Sequence, residues 1–337
     1  MDRFAFANSL MKMRLKIDWF VPLLLLMIVF GRFLPGPGLM TGFFTIRTFA
    51  EVGISVIFLL YGLNLSLNSL WKGLSHWKLH LVIQFTTFLI FPAIVLAVKP
   101  FIPAVHMTEL WLSVFFLAVL PSTVSSAVVM VSLAGGNVAG AIFNATLSSI
   151  AGIFIAPLWM SFFTPSIDGA GGNFDIFMKL GYQILLPLLV GLLLNYKLRF
   201  LMKHIGRYTR YFDQAVILAV VYTSFSASYQ SGIFKNMGTG IILLIMLFLI
   251  ILFVLVNGFV LLMATKFKFS VADLITALFC GSTKSLMHGS AMSKVFFTTA
   301  AQGGLMLVPL LIYHSMQLII TGIMSQSFAR RNMKESM

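Results

Sequence analysis

The chain has 337 residues, 59% of them hydrophobic and only 9% charged, with a net charge of +14 and a mean hydropathy of +0.99. Soluble domains carry about 25% charged residues, so the composition excludes a soluble globular protein and points to an integral membrane protein. The single cysteine, Cys280, excludes a disulfide framework and a cysteine-based zinc site.

Ten apolar segments follow along the chain, at 17–35, 48–70, 77–98, 109–134, 137–163, 176–196, 211–231, 237–264, 270–300 and 303–327. A helix rises about 1.5 Å per residue and the hydrocarbon core is about 30 Å thick, so each can cross it. The first run is already span length and lacks a small-residue cleavage site, so it is expected to stay a helix and not to be a signal peptide. Residues 110–167 contain no ionisable side chain over 58 positions, enough for two spans and a short turn. The polar connections are at most about a dozen residues, which leaves no space for an appended catalytic module. One membrane domain over 1–337 is therefore expected.

The basic residues are divided unevenly between the two sides. One side collects Arg3, Lys12, Arg14 and Lys16, then Lys72 and Lys78, then Lys197, Arg199, Lys203, Arg207 and Arg210, then Lys266 and Lys268, and finally Arg330, Arg331 and Lys334. The other holds Arg32, Arg47, Lys99, Lys179 and Lys235. By the positive-inside rule both termini are cytoplasmic. The net charge thus reports topology in a plasma (inner) membrane, with the lipid bilayer as partner and no nucleic acid.

Ten spans divide into five and five, so a repeat must be inverted: 17–163 for spans 1–5 and 176–327 for spans 6–10. The fourth and ninth spans carry matching interruptions. Pro121-Ser122-Thr123-Val124-Ser125-Ser126 lies 12 residues inside the fourth, and Gly281-Ser282-Thr283-Lys284-Ser285, followed by Met287-His288-Gly289, lies 12 residues inside the ninth. Twelve residues of helix reach about 18 Å, near the bilayer midplane. Lipid satisfies no backbone polar group, so unwound chain at that depth must be buried in protein or line a wet cavity. Paired interruptions of this kind mark the central site of secondary transporters. Pro121, Gly281 and Gly289 are the expected helix breaks. Two half-helix N-termini there attract anions and two carbonyl ends attract cations.

The segments Leu120-Pro121-Ser122-Thr123-Val124-Ser125-Ser126-Ala127, Ser132-Leu133-Ala134-Gly135-Gly136-Asn137-Val138-Ala139, Phe143-Asn144-Ala145-Thr146-Leu147-Ser148, Tyr61-Gly62-Leu63-Asn64-Leu65 and Phe279-Cys280-Gly281-Ser282-Thr283-Lys284-Ser285-Leu286 resemble the bile acid:sodium symporter superfamily. The match is to its SBF-like branch, related to the seventh member of the human sodium/bile-acid cotransporter group. The resemblance implies an all-α polytopic fold of ten transmembrane helices. Spans 1, 2, 6 and 7 would form a panel domain, and spans 3–5 and 8–10 a core domain in which the discontinuous helices 4 and 9 cross. Sodium-coupled members place Ser-Asn after the fourth-span break, Ser and Thr on the fifth span and Glu at the ninth-span break. Here the corresponding positions read Ser126-Ala127, Ala141, Ala145 and Lys284.

Ser122, Thr123, Ser125, Ser126, Asn144, Ser148, Ser282, Thr283, Lys284, Ser285 and His288 are accordingly the candidate substrate- and ion-binding residues. A midplane lysine costs roughly 2.5–3.5 kcal/mol on insertion scales, so Lys284 needs a partner. It either stands where a coupling cation sits in the relatives or tethers carbonyl ends of the broken helix. His288, one turn on, is a proton-relay partner of Lys284 or a packing residue. The expected function is alternating-access transport of a small organic anion, coupled to a proton or sodium, or uncoupled with Lys284 in place of the coupling cation. A membrane regulator or scaffold of ion homeostasis is the alternative. No enzyme is expected: the chain has no His-Glu-x-x-His, no Gly-x-Ser-x-Gly and no pair of deep aspartates. No cofactor or metal is expected either.

Overall fold

A computed structural model of the chain describes residues 19–64, 76–101, 108–163, 178, 181–235, 237–297 and 300–335. The expected topology cations Arg3, Lys12, Arg14, Lys16, Lys72 and Lys179, residues 65–70 of the second span and residues 176–177 of the second repeat lie outside them.

Among the described residues every regular element is helical. In chain order these are α1 (Phe20–Phe33), the short α2 (Gly36–Leu39), α3 (Ile46–Asn64), α4 (Trp77–Phe85) and, after a π-turn at Thr86–Ile90, α5 (Phe91–Val98). Next come α6 (Thr108–Val119), α7 (Ser125–Leu133) and α8 (Val138–Ser161). A second π-turn at Gly181–Leu185 leads into α9 (Leu186–Gln230), followed by α10 (Thr239–Lys266), α11 (Val271–Ser282), α12 (Leu286–Phe296) and α13 (Ala300–Glu335). Both π-turns precede a proline, Pro92 and Pro187. Proline lacks the N–H that would bond one turn back, and the widened turn accommodates that gap.

Among the described residues, five helices are long and apolar enough to cross a membrane: Ile46–Asn64, Trp77–Phe101, Val138–Ser161, Thr239–Lys266 and Gln302–Arg330. On α10, Ile245, Leu249, Leu252, Val256 and Val260 are buried at helical spacing. Its opposite face leaves Leu243, Leu247, Val254 and Leu261 exposed, a surface suited to lipid. At the centre, Phe115, Phe116, Leu117, Ala118, Val119 and Leu120 of α6 and the residue after it are fully buried, wrapped by α5, α8 and α13.

Residues 197–210, expected from their charge to be a loop, are helical within the 45 residues of α9. Lys, Arg, Leu and Met are good helix formers, so the charges there do not interrupt the backbone. The chain nevertheless turns back. An added Cβ on Gly191 would meet the Leu59 carbonyl of α3, and one on Gly53 of α3 would meet Val216. A straight helix puts residues 191 and 216 about 38 Å apart, whereas residues 53 and 59 are only about 9 Å apart. Both arms of α9 thus lie on the same helix.

The first arm is joined to α3 backbone to backbone. Added Cβ atoms on Gly62 and Gly191 would overlap the carbonyl oxygens of Leu188 and Leu59, respectively. Ser55 Oγ donates to the Gln183 carbonyl at 3.1 Å and Asn195 Nδ2 to the Leu63 carbonyl at 2.5 Å. A second junction ties α8 to α11. Asn137 caps α8 through Gly140 N–H at 2.9 Å and donates from Nδ2 to Asp273 Oδ1 at 2.8 Å. Ser270 caps α11 through Asp273 N–H at 3.1 Å.

Candidate functional site

Two interrupted helices meet inside this body. α6 ends at Val119 and α7 begins at Ser125; Pro121 has no N–H to donate and biases the residue before it away from helix. α11 ends at Ser282 and α12 begins at Leu286, with Thr283 and Ser285 extended at φ −94°, ψ 150° and φ −84°, ψ 114°. The two breaks are bonded to each other. Ser285 N–H donates to the Pro121 carbonyl at 2.9 Å, and Ser122 Oγ and Thr283 Oγ1 share a hydrogen bond at 3.1 Å.

Two glycines act differently from expectation. Gly281 lies within the last turn of α11, with room for a Cβ at an ordinary 3.4 Å from Val260. Gly289 lies inside α12, where it admits Leu310 and Leu120 against the backbone. The second break instead opens at Thr283, and side chains of α13 hold it. Tyr313 OH donates to the Ser282 carbonyl at 2.6 Å. Gln317 brackets Lys284, accepting from its N–H at 2.8 Å and donating to its carbonyl at 2.9 Å. The sequence reading missed both residues. Their signal was two hydrogen-bonding side chains four positions apart in an apolar helix.

Lys284 is fully buried, and its Nζ donates to the carbonyls of Thr87 at 2.8 Å, Ala118 at 2.6 Å and Leu120 at 2.8 Å. Three acceptors match the three N–H bonds of an ammonium. The Phe91 ring lies on a fourth side, its centroid 4.1 Å from Nζ, where the π-face favours a cation. Ala118 and Leu120 belong to the carbonyl end of α6, and Thr87 to the π-turn. The positive charge therefore sits at the negative end of a half-helix dipole.

The remaining candidates divide into two groups. Ser122, Thr283 and Ser285 are at the contact itself, and Ser148 Oγ accepts from Ser122 N–H at 2.9 Å. Ser126 Oγ donates to Thr123 Oγ1 at 3.1 Å beside them; the Ser125 side chain is outside the described residues. Ser282 Oγ is turned back onto the Leu278 carbonyl at 2.6 Å. Asn144 faces away, bonded to His80 Nδ1 at 2.8 Å and receiving Gln84 Nε2 at 3.2 Å. His288 bonds Ser285 Oγ through Nδ1 at 3.0 Å and meets the Phe58 ring edge-on at 5.2 Å. All three donor contacts described for Lys284 Nζ go to carbonyls, so no hydrogen bond joins it to His288.

The electrostatic outcome is asymmetric. Protein donors already occupy the carbonyl ends of both interrupted helices: the Lys284 ammonium on α6, and the Tyr313 hydroxyl and Gln317 amide at α11. Ser285 caps the N-terminus of α12, whereas the N-cap residue of α7, Val124, has no side-chain acceptor for its N–H groups. An uncapped N-terminus beside hydroxyls favours an anion.

Unwound backbone held inside an apolar helical body, with a charge at its centre, is the architecture of a membrane transporter. The chain belongs to the SBF-like CPA transporter family, whose profile matches residues 18–330. It is 35% identical to an uncharacterized protein of Pseudomonas aeruginosa, covering 93% of each chain. It is 34% identical to YfeH of Escherichia coli, which carries the name of a symporter, over 95% of this chain and 96% of that one. Sodium/bile acid cotransporter 7 of Danio rerio is 30% identical over 93% of this chain and 94% of its own. The family and these named relatives are transporters and not enzymes, in agreement with the resemblance read from the motifs.

Proposed function

We propose that the chain is a secondary transporter of a small organic anion, working by alternating access in the plasma (inner) membrane with both termini cytoplasmic. In this reading the two halves of the chain are inverted repeats. The helices around the crossing form the moving core, and α1, α3 and α9 form the panel. Lys284 takes the place of the coupling cation. The observation that carries the proposal is the fully buried Lys284 ammonium on three carbonyls, with no carboxylate among its bonded partners. It fills the cation-attracting half of the crossing and leaves the anion-attracting half, at Ser122, Thr123, Ser126 and the start of α7, to the substrate.

The test is uptake of a panel of organic anions into proteoliposomes, with sodium and proton gradients imposed one at a time. Saturable uptake of an anion that continues when the sodium gradient is collapsed is expected. Uptake that requires sodium in the native protein would overturn the role given to Lys284. Absence of uptake and of binding across the panel would overturn the transporter reading itself.

A further inference from the structure

Lys284 and Lys294 are met very differently by the protein. Lys284, in the second break, has all three N–H bonds on carbonyls. Lys294, in the last turn of α12, lies nine residues past Ser285, about 14 Å along the helix from the crossing. Among the described residues its Nζ makes one hydrogen bond, donating to Thr223 Oγ1 of α9 at 3.0 Å. Thr223 Oγ1 turns its own hydrogen to the Ala219 and Val220 carbonyls, at 2.9 Å and 3.1 Å, so it offers Lys294 only a neutral lone pair. An ammonium has three donors, and the other two stay open. A counter-charge is missing as well. Arg47 and Glu51 of α3 lie within electrostatic reach of Lys294, but they are bonded to each other at 3.0 Å and present no net charge to it. Residues 214–234 and 295–329, which include the facing parts of α9 and α13, carry no Asp, Glu, Lys or Arg. An ionisable group within a span normally has a partner or serves a binding path.

Two hydroxyls beside this lysine are also unspent. Ser290 stands one turn before Lys294 on the same face of α12, and a helical side chain leans back over the residue four before it. Ser224 follows Thr223, the residue that Lys294 touches. Ser290 and Ser224 are 1% and 0% exposed, and neither Oγ has a hydrogen-bond partner. Buried polar atoms are nearly always paired, and serine in a membrane helix ordinarily donates to a carbonyl one turn back, as Ser228 does to Ser224. An ammonium with two open donors, flanked by two hydroxyls, complements a carboxylate through charge-assisted hydrogen bonds. We infer that Lys294, Ser290 and Ser224 form a second oxyanion site, for a carboxylate, apart from the crossing. Its ligand class rests on the anion-transport reading. The residues that would meet the anion's charge are new: Lys284 has no donor left for it, and Lys294 has two.

The test titrates the purified protein with sodium benzoate or sodium acetate, against sodium chloride at equal ionic strength, and follows the melting temperature. A saturable rise with the carboxylates, beyond that with chloride, is expected. Lys294→Gln should raise the midpoint concentration about tenfold or more, and Lys294→Arg should keep it within about threefold. The serines give the sharper readout. Ser290→Ala and Ser224→Ala remove unpaired buried groups, so the ligand-free protein should melt at the same temperature or higher. Each should nevertheless weaken the carboxylate by roughly three- to tenfold. Serines with a purely structural role would show the reverse, a lower melting temperature and an unchanged midpoint. Unchanged midpoints in Lys294→Gln and both serine variants overturn the site, as does a native protein that melts alike in carboxylate and chloride. If Lys294→Gln does not fold, the serine variants decide. Anion uptake by the native protein, with carboxylate binding indifferent to Lys294, removes this site and leaves the transporter reading. The expected binding pattern without any uptake does the opposite.

Discussion

Replacing Lys284 by alanine leaves the carbonyls of Thr87, Ala118 and Leu120 without their ammonium at a fully buried position. An orphaned buried acceptor costs roughly 1–3 kcal/mol, so Lys284→Ala should lower the melting temperature markedly. The same three oxygens then form a cage for a small hard cation. Sodium chloride, compared with choline chloride, should raise the melting temperature of Lys284→Ala and leave the native protein unchanged. An equal sodium response in both, or in neither, removes Lys284 from the cation's place. Lys284 was legible in the sequence because a charge in an apolar run demands an explanation. Gln317 and Tyr313 were not, because a neutral polar side chain in a membrane helix is common, and its partner 33 or 31 residues away is fixed only by the fold. Asn144 shared a helix face with Ser148, as its spacing implied, but periodicity gave no sign that His80 and Gln84 would claim it.

Glycines separate what a pattern shows from what packing decides. Gly281, Gly62 and Gly191 look alike as small residues in apolar helices. Only the last two have neighbouring backbone carbonyls where a Cβ would sit, and a carbonyl cannot rotate aside as a side chain can. Gly62→Ala and Gly191→Ala should each destabilise the α3–α9 joint severely, seen as lost monodispersity or a large fall in melting temperature. Gly281→Ala should be neutral or gain up to about 1 kcal/mol from helix propensity. Similar melting curves for all three variants would show that the joint is not as tight as described. The helical linker within α9 has a related lesson. Its charges carried no information on backbone conformation, since lysine and arginine are compatible with helix.

At the scale of the molecule, apolar run lengths located most of the helices, because the thickness of the bilayer fixes the length of a span. The matching positions of the two interruptions in their spans raised the expectation that they meet, and they are hydrogen-bonded to each other. The turning back of α9 depends on which glycines face which neighbours, and no run length encodes that. The built-in ammonium at the crossing has an electrical consequence. In a carrier of this construction the empty form bears the fixed positive charge, and the form holding a monovalent anion is neutral. One elementary charge crossing 100 mV of membrane voltage is worth about 2.3 kcal/mol, so voltage acts on the return of the empty form. An interior-negative potential draws that form inward and should accelerate net anion efflux. A potassium diffusion potential imposed on loaded proteoliposomes measures this directly, and neutralising Lys284 should move the voltage-sensitive step from the return of the empty form to the outward passage of the loaded one.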